Sequence, residues 1–195
     1  MPRAARHYIE GGFYHLHTRG IDKRTIFAKP ADYQYCLDLI REHLPSFNLS
    51  IHHYCLMLNH LHLLIQVKDP KAPSAFMKKL LQSYAFYFRR AYESTGFVFQ
   101  NRYKSHWIDN PAYLLRCGRY IERNPIRHGV TSDLHSYCWS SFSCYATGKQ
   151  DGIINMDPMF LRLANDPKQR HQEYQEYVLK DTPYDDIVDD VLYGD

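Results

Sequence analysis

Residues 60–67, His-Leu-His-Leu-Leu-Ile-Gln-Val, constrain the fold more tightly than any other segment of the chain. Side chains of a β-strand alternate between the two faces of a sheet, so every second residue shares one face. One face of this segment is entirely aliphatic, with Leu61, Leu63, Ile65 and Val67. A strand of this kind needs a hydrophobic layer against it, and we predict that it lies in the middle of a sheet.

The other face of the same strand begins with two histidines, His60 and His62. Their attachment points are about 7 Å apart, which is close enough for both imidazoles to reach one ion. Two buried histidines with ordinary hydrogen-bond partners would leave the same pattern. The local sequence therefore keeps a metal site and a purely structural pair open as alternatives.

Strand and helix signals alternate along the first 124 residues. We predict strands over 12–18, 48–58 and 60–67, a strand or hairpin over 96–109, and helices over 31–44, 73–95 and 112–124. Pro45 and Pro125 are expected to end the helices that precede them. The β-α-β-β-α-β-α order predicts an α+β fold, namely a ferredoxin-like or RRM-like antiparallel sheet with helices on one face. The first and third strands should be its central pair.

The length of 195 residues favours one domain with its own hydrophobic core. We divide the chain into a core over 1–130 and a C-terminal extension over 131–195, irregular apart from a helix near 158–180. No apolar run approaches the roughly 18 residues of a membrane span, and the start of the chain lacks the apolar stretch of a secretory signal. The five cysteines form no C-x-x-C pair, which favours a reduced, cytoplasmic protein.

Charge is distributed unevenly. The last segment, 181–195, holds six aspartates and no lysine or arginine, so residues 1–180 carry 24 basic against 15 acidic side chains, a formal charge of +9. A basic body favours a polyanionic partner such as nucleic acid. The acidic tail is either a solvated terminus or a competitor of DNA for the basic body. If it competes, deletion of 181–195 should tighten single-strand binding at low salt.

A third ligand for an ion between the two histidines is available on the predicted helix over 112–124. One stripe of this helix, at steps of three and four residues, consists of Tyr113, Arg116, Tyr120 and Asn124. If the helix crosses the sheet, the amide oxygen of Asn124 can join His60 and His62. Two imidazoles and one amide leave coordination positions open, which suits Mg²⁺ or Mn²⁺ better than a structural zinc ion.

Tyr120 lies one helical turn before Asn124. A tyrosine beside a divalent ion indicates attack of its phenolate on a phosphodiester. Because the pKa of free tyrosine is near 10, the phenol needs help to ionise, and we expect this help from Arg116 and Arg123. An ordinary amphipathic helix would also accommodate Tyr120, since the chain has 17 tyrosines.

Several segments resemble the HUH endonucleases. The segment YCLMLNHLHLLIQV (54–67) is similar to their His-hydrophobic-His motif, and RYIERNPIRHG (119–129) resembles the tyrosine helix of the single-tyrosine transposases. Further matches, in the family's order, point to its REP-associated branch: YHLHTRG (14–20), IFAKPADYQYCLDLI (26–40), FMKKLLQSYAFYFRRAY (76–92), GFVFQNRYKS (96–105) and YCWSSF (137–142). The core over 1–130 would then be the catalytic domain.

The resemblance implies a function. Tyr120 would attack single-stranded DNA next to a hairpin, form a 5′-phosphotyrosine link and free a 3′-hydroxyl, and reversal would rejoin strands. His60, His62 and Asn124 match the residues that hold Mg²⁺ or Mn²⁺ in the family.

The resemblance also implies a DNA-contacting set. It comprises Arg19, Gly20, Arg102 and Lys104, to which we add Arg116 from the tyrosine helix. Relatives occur both as monomers and as dimers that exchange tyrosine helices, and the long C-terminal extension favours a monomer.

Two other functions stay open. A non-catalytic nucleic-acid module of the same fold would stack bases on the exposed sheet face, although His60 and His62 stand where that module carries aromatic residues. A metal-dependent hydrolase would need further carboxylate ligands, for which Asp109 and Glu122 are the nearest candidates. Neither of these carboxylates lies on the stripe of Tyr120 and Asn124.

Overall fold

Four strands form one antiparallel sheet in the order β2-β3-β1-β4. The computed structural model describes residues 6–110 and 112–181. Its strands are β1 (Phe13–Arg19), β2 (Leu49–Met57), β3 (His60–Val67) and β4 (Lys104–Ile108). The first and third strands are the central pair, as predicted.

Helices cover both faces of this sheet. They are α1 (Pro30–His43), α2 (Ala72–Ala91), α3 (Ala112–Arg127), α4 (Phe142–Thr147) and α5 (Pro167–Leu179). The aliphatic face of β3 is fully buried in one hydrophobic cluster with the inner residues of α1 and α2. This β-α-β-β-α-β unit confirms the predicted α+β, ferredoxin-like fold, with α1 and α2 on one face of the sheet. The prediction of helices on one face alone is too narrow, because α3 covers part of the other face. Among the described helices, none is long and apolar enough to cross a membrane.

Helix α3 packs on the opposite face, which carries the histidines. Its inner residues Leu114, Cys117 and Ile121 are buried against Cys55 and Leu64 of the sheet. The sheet is thereby closed on both sides over β2 and β3, whereas β4 is a partly exposed edge strand.

Pro125 does not end α3, contrary to our prediction, because the helix continues to Arg127. Proline lacks one N–H group, so only one hydrogen bond of the last turn is lost. The helix instead ends through the His128 N–H, which donates to the Asn124 carbonyl at 3.0 Å, and through Gly129 at φ +64°. A glycine in the left-handed region is a common end of a helix.

Two other elements are shorter than predicted. The segment 96–109 contains only the short strand β4, preceded by an irregular stretch that makes an isolated bridge between Phe99 and Gly20. In place of a helix near 158–180, α5 begins at Pro167, where the Asp166 carboxylate accepts the backbone N–H of Gln169 at 2.8 Å. An aspartate cap followed by proline is a favourable helix start.

Residues 131–181 pack on α3. Phe142, Tyr145, Phe160 and Tyr174 form a buried aromatic cluster beside this helix. The Arg119 and Arg123 side chains of α3 donate to carbonyl groups at the end of α5, which satisfies acceptors that a helix end leaves open. The acidic tail that follows Asp181 lies outside the described residues, so its proposed competition with DNA stays a prediction.

Candidate active site

His60 and His62 project from β3 toward α3, with ring centroids 4.9 Å apart. One nitrogen of each ring is engaged by a neighbour. His60 Nδ1 lies 2.7 Å from Asn59 Oδ1, and His62 Nδ1 lies 2.8 Å from Nε2 of His15. Metal-binding histidines commonly have the second ring nitrogen fixed in this way, because it sets the orientation of the ring.

Both rings are neutral at pH 7. Burial lowers the pKa of His62 well below its ordinary value, and the neighbouring His60 adds to this effect. The pKa of His60 falls to about 4, first through burial and then through the nearby His128. Neutral imidazole is the form that coordinates metal ions.

The histidine pair belongs to a larger group of imidazoles that sequence reasoning missed. His17 lies directly opposite His62 in the pairing of β1 with β3, and His106 of β4 is stacked on His17 at 5.9 Å. Burial is the main cause that lowers the pKa of His17 to about 3. The i, i+2 spacing of His15 and His17 repeats that of His60 and His62, and this signal in β1 could have indicated a shared face.

Tyr120 lies on α3 against these histidines. Its ring centroid is 6.0 Å from that of His62 and 6.1 Å from that of His15, and both contacts are edge-on. The side chain is 96% buried, with 4% exposed. The tertiary fold therefore brings together the predicted nucleophile and the predicted metal pair.

The predicted role of Arg123 beside the tyrosine is wrong. Arg123 faces α5 and donates to the Val178 carbonyl at 2.8 Å. The cation at the tyrosine is Arg127, whose guanidinium carbon lies 5.0 Å from the centroid of the Tyr120 ring. Arg127 follows Tyr120 by seven residues, which is almost two full turns, so both lie on the same side of the helix.

Asn124 completes the local arrangement. Its side chain is buried, and its amide N–H donates to the Tyr120 carbonyl at 2.9 Å. A side-chain hydrogen bond between His60 and Asn124 raises the pKa of His60 and so partly offsets the effect of burial. The amide that the sequence predicted as the third ligand therefore borders the histidine pair.

The environment of His60, His62 and Asn124 suits the predicted divalent metal ion. Both imidazoles are neutral, one nitrogen of each is anchored, and an amide stands beside them. No three His, Cys, Asp or Glu side chains within 6–110 and 112–181 are arranged to hold a metal ion. The predicted set is of a different kind, since it has two imidazoles and one amide and relies on water or substrate oxygens for the rest.

The predicted DNA-contacting residues occupy several places. Arg19 lies opposite His60 in the β1–β3 pairing, and Lys104 lies opposite His17 in the β1–β4 pairing. Residues directly opposite each other share a face of the sheet. Arg19 and Lys104 are thus on the histidine side, at the end of β1.

The other three members of that set differ in setting. Arg102 is exposed and lines a groove beside α2. Arg116 is exposed on α3, with its guanidinium carbon 5.4 Å from the centroid of the Tyr113 ring. At Gly20, an added Cβ would lie 2.3 Å from the Arg24 carbonyl oxygen, so the position requires glycine for backbone packing.

A second buried polar group lies behind α3. His53 Nδ1 is 2.9 Å from Glu122 Oε1, and its Nε2 is 3.2 Å from Asp157 Oδ2. The two carboxylates raise the pKa of His53 to about 9 against the opposing effect of burial. Glu122 also accepts hydrogen bonds from Ser141 and Tyr174. Its carboxylate is thus engaged by His53, Ser141 and Tyr174, which argues against the hydrolase alternative.

Known proteins resemble this chain in sequence and in fold. The family of IS200-like transposases matches residues 9–124, a range that includes Tyr120, both histidines and Asn124. A protein of Haemophilus influenzae named as a REP-associated tyrosine transposase is 24% identical over 169 residues, which cover 73% of this chain and 86% of the relative. The solved structure of a REP-associated tyrosine transposase bound to a REP hairpin has a similar fold, with a TM-score of 0.63 and 18% identity over 94% of this chain and 96% of the other. The chain therefore belongs to the family of IS200-like transposases.

Proposed function

We propose that this chain cleaves and rejoins single-stranded DNA beside hairpins, with Tyr120 as the nucleophile. The observation that carries the proposal is the position of the Tyr120 ring, edge-on to His62 at 6.0 Å. A tyrosine nucleophile, a neutral histidine pair and a nearby cation are the groups that phosphodiester cleavage of this type needs.

In the cleavage step, the phenol oxygen of Tyr120 loses its proton and forms a bond to phosphorus, while the bond from phosphorus to the 3′-oxygen breaks and that oxygen takes up a proton. The products are a 5′-phosphotyrosine link and a free 3′-hydroxyl. Attack of another 3′-hydroxyl on this link reverses the step, so the number of phosphodiester bonds is conserved and no ATP is required. The guanidinium of Arg127, close to the ring, stabilises negative charge on the phenol oxygen.

A divalent ion, Mg²⁺ or Mn²⁺, would be held by His60, His62 and the amide oxygen of Asn124. With their Nδ1 atoms engaged by Asn59 and His15, the imidazoles would offer Nε2. When bound, such an ion supplies Lewis-acid polarisation of the phosphoryl oxygens. Arg19 and Lys104, on the same side of the sheet, would position the DNA backbone.

The proposal is tested with a library of single-stranded hairpins that have randomised flanks and a label at the 3′ end. After incubation with Mn²⁺, denaturing electrophoresis should show a labelled protein–DNA adduct, because the 3′ fragment stays on the tyrosine. Tyr120→Phe should abolish the adduct and retain hairpin binding. Tyr113→Phe, on the same helix but exposed, is the matched control and should keep the adduct.

An adduct that survives in Tyr120→Phe would refute the assignment of the nucleophile. If hairpins bind and the native chain forms no adduct, the non-catalytic nucleic-acid module becomes the better description. We further propose that the chain acts as a monomer, which sedimentation of the protein with and without the hairpin would test.

A further inference from the structure

A groove of about 1070 Å³ runs between α2 and the segment 97–103. Helix α2 covers the aliphatic face of the sheet, so this groove is separate from the histidine side where Tyr120 lies. Its apolar floor includes Met77, Ala85 and Val98. We call it the α2 groove.

The rim of the α2 groove is positively charged. Arg6, Lys78, Arg89 and Arg102 all line it, and none of the described lining residues is an aspartate or a glutamate. Lys78 and Arg89 lie on one exposed face of α2, three turns apart. A cationic lining of this kind is complementary to a phosphate backbone.

Two aromatic rings stand in the same groove with most of their surface in water. Phe86 is 66% exposed and Phe97 is 81% exposed. Two large apolar rings that are both exposed in one charged groove form an unusual surface. Aromatic faces beside cations are the common device by which proteins hold unpaired bases.

The α2 groove is continuous with residues that we assign to DNA binding. Gln100 lines the groove and accepts hydrogen bonds from Nε and Nη2 of Arg19 at 3.2 and 3.0 Å. Arg19 itself lies on the histidine side, opposite His60. A single strand of DNA that leaves the histidine side at the end of β1 would therefore reach the α2 groove.

We propose that the α2 groove binds a single-stranded segment of DNA that flanks the hairpin. Its bases stack on Phe86 and Phe97, and its phosphates lie against Lys78 and Arg89. This inference rests on the proposed function in that the same DNA substrate is assumed. Because stacking and phosphate contacts read no base edges, the groove holds the flank without sequence preference.

Binding is measured in the Tyr120→Phe background, so that cleavage plays no part. Two probes are compared, a blunt hairpin and the same hairpin with a thymidine tail that carries one 2-aminopurine. Phe86→Leu with Phe97→Leu should weaken binding of the tailed probe about tenfold or more and relieve the quenching of 2-aminopurine, and leave the blunt probe unchanged. The matched pair Phe86→Tyr with Phe97→Tyr keeps the rings and should retain both signals.

A second pair of substitutions tests the phosphate contacts. Lys78→Gln with Arg89→Gln should reduce the slope of log affinity against log salt by about 1.4, at about 0.7 for each lost contact to a single strand. Leu161→Ala, an exposed apolar position outside the groove, should change neither readout. Unchanged binding of the tailed probe in the leucine variant would overturn the proposal.

Equal losses for both probes would also overturn it, because the groove would then bind no flank. A dimer in sedimentation that disappears with the leucine variant would assign the groove to a second copy of the chain. These outcomes are distinct from failure of the proposed function, which is read from the adduct assay with native Tyr120.

Discussion

The buried triad of His53, Glu122 and Asp157 allows a quantitative prediction. The pKa of His53 is about 9 in the folded protein, against an ordinary value of 6.5 for histidine. The folded state therefore holds the proton of His53 more tightly than the unfolded state does. This difference corresponds to about 3 kcal/mol of stability when fully present. Because two carboxylates share the effect, removal of one should cost between about 1 and 2 kcal/mol at pH 7.

The pH dependence follows from the direction of the shift. A raised pKa contributes stability that is complete below pH 6.5 and is lost as the pH rises through about 9. Asp157→Asn should lower the pKa of His53 and move this loss to lower pH. Asp157 itself has a lowered pKa, so its own contribution is present at neutral pH and is lost only in acid.

The assay is urea unfolding of the native chain and of Asp157→Asn at intervals from pH 6 to pH 9. Buried cysteines and tyrosines also destabilise the fold once their unfolded forms ionise near pH 9–10, so the difference between the two proteins below pH 9 is the informative quantity. Asp109→Asn, at an exposed position, is the matched control and should follow the native profile. Parallel profiles for native and Asp157→Asn proteins would refute the assignment of a raised pKa to His53.

Three further predictions concern the active site and its support. His15→Gln should weaken Mn²⁺ binding about 10- to 100-fold, measured by calorimetry, because His62 loses the group that orients it; unchanged affinity would contradict that role. Gly118→Ala should lower the urea midpoint, since the new methyl carbon would lie 2.5 Å from Nε2 of His53, and a native midpoint would show that the ring can move. His60→Ala and EDTA treatment should each abolish the adduct. Excess Mn²⁺ should restore the adduct in the native protein after EDTA treatment, but not in the His60→Ala variant.

The architecture of this protein can be predicted from local patterns in its sequence. Alternation in 60–67 placed an aliphatic strand at the centre of a sheet, and that strand is central in the structure. The aliphatic face of this strand and the apolar stripe of α1 both follow from a regular spacing of apolar residues. Such a spacing identifies the buried side of an element without knowledge of its partners. The ordered motifs also pointed to the transposase family that the comparison over 9–124 confirms.

Which side chains contact one another, in contrast, depends on long-range packing. The hydrogen bond between His15 and His62 joins residues 47 positions apart and depends on the register of β1 against β3. From the sequence we expected Arg116 and Arg123 to assist Tyr120, whereas in the structure the cation at its ring is Arg127. Arg123 is turned away because α5 occupies the side of α3 where it lies. Periodicity gives the face of one helix, but the neighbour that covers each face is set by long-range packing, which one segment does not encode.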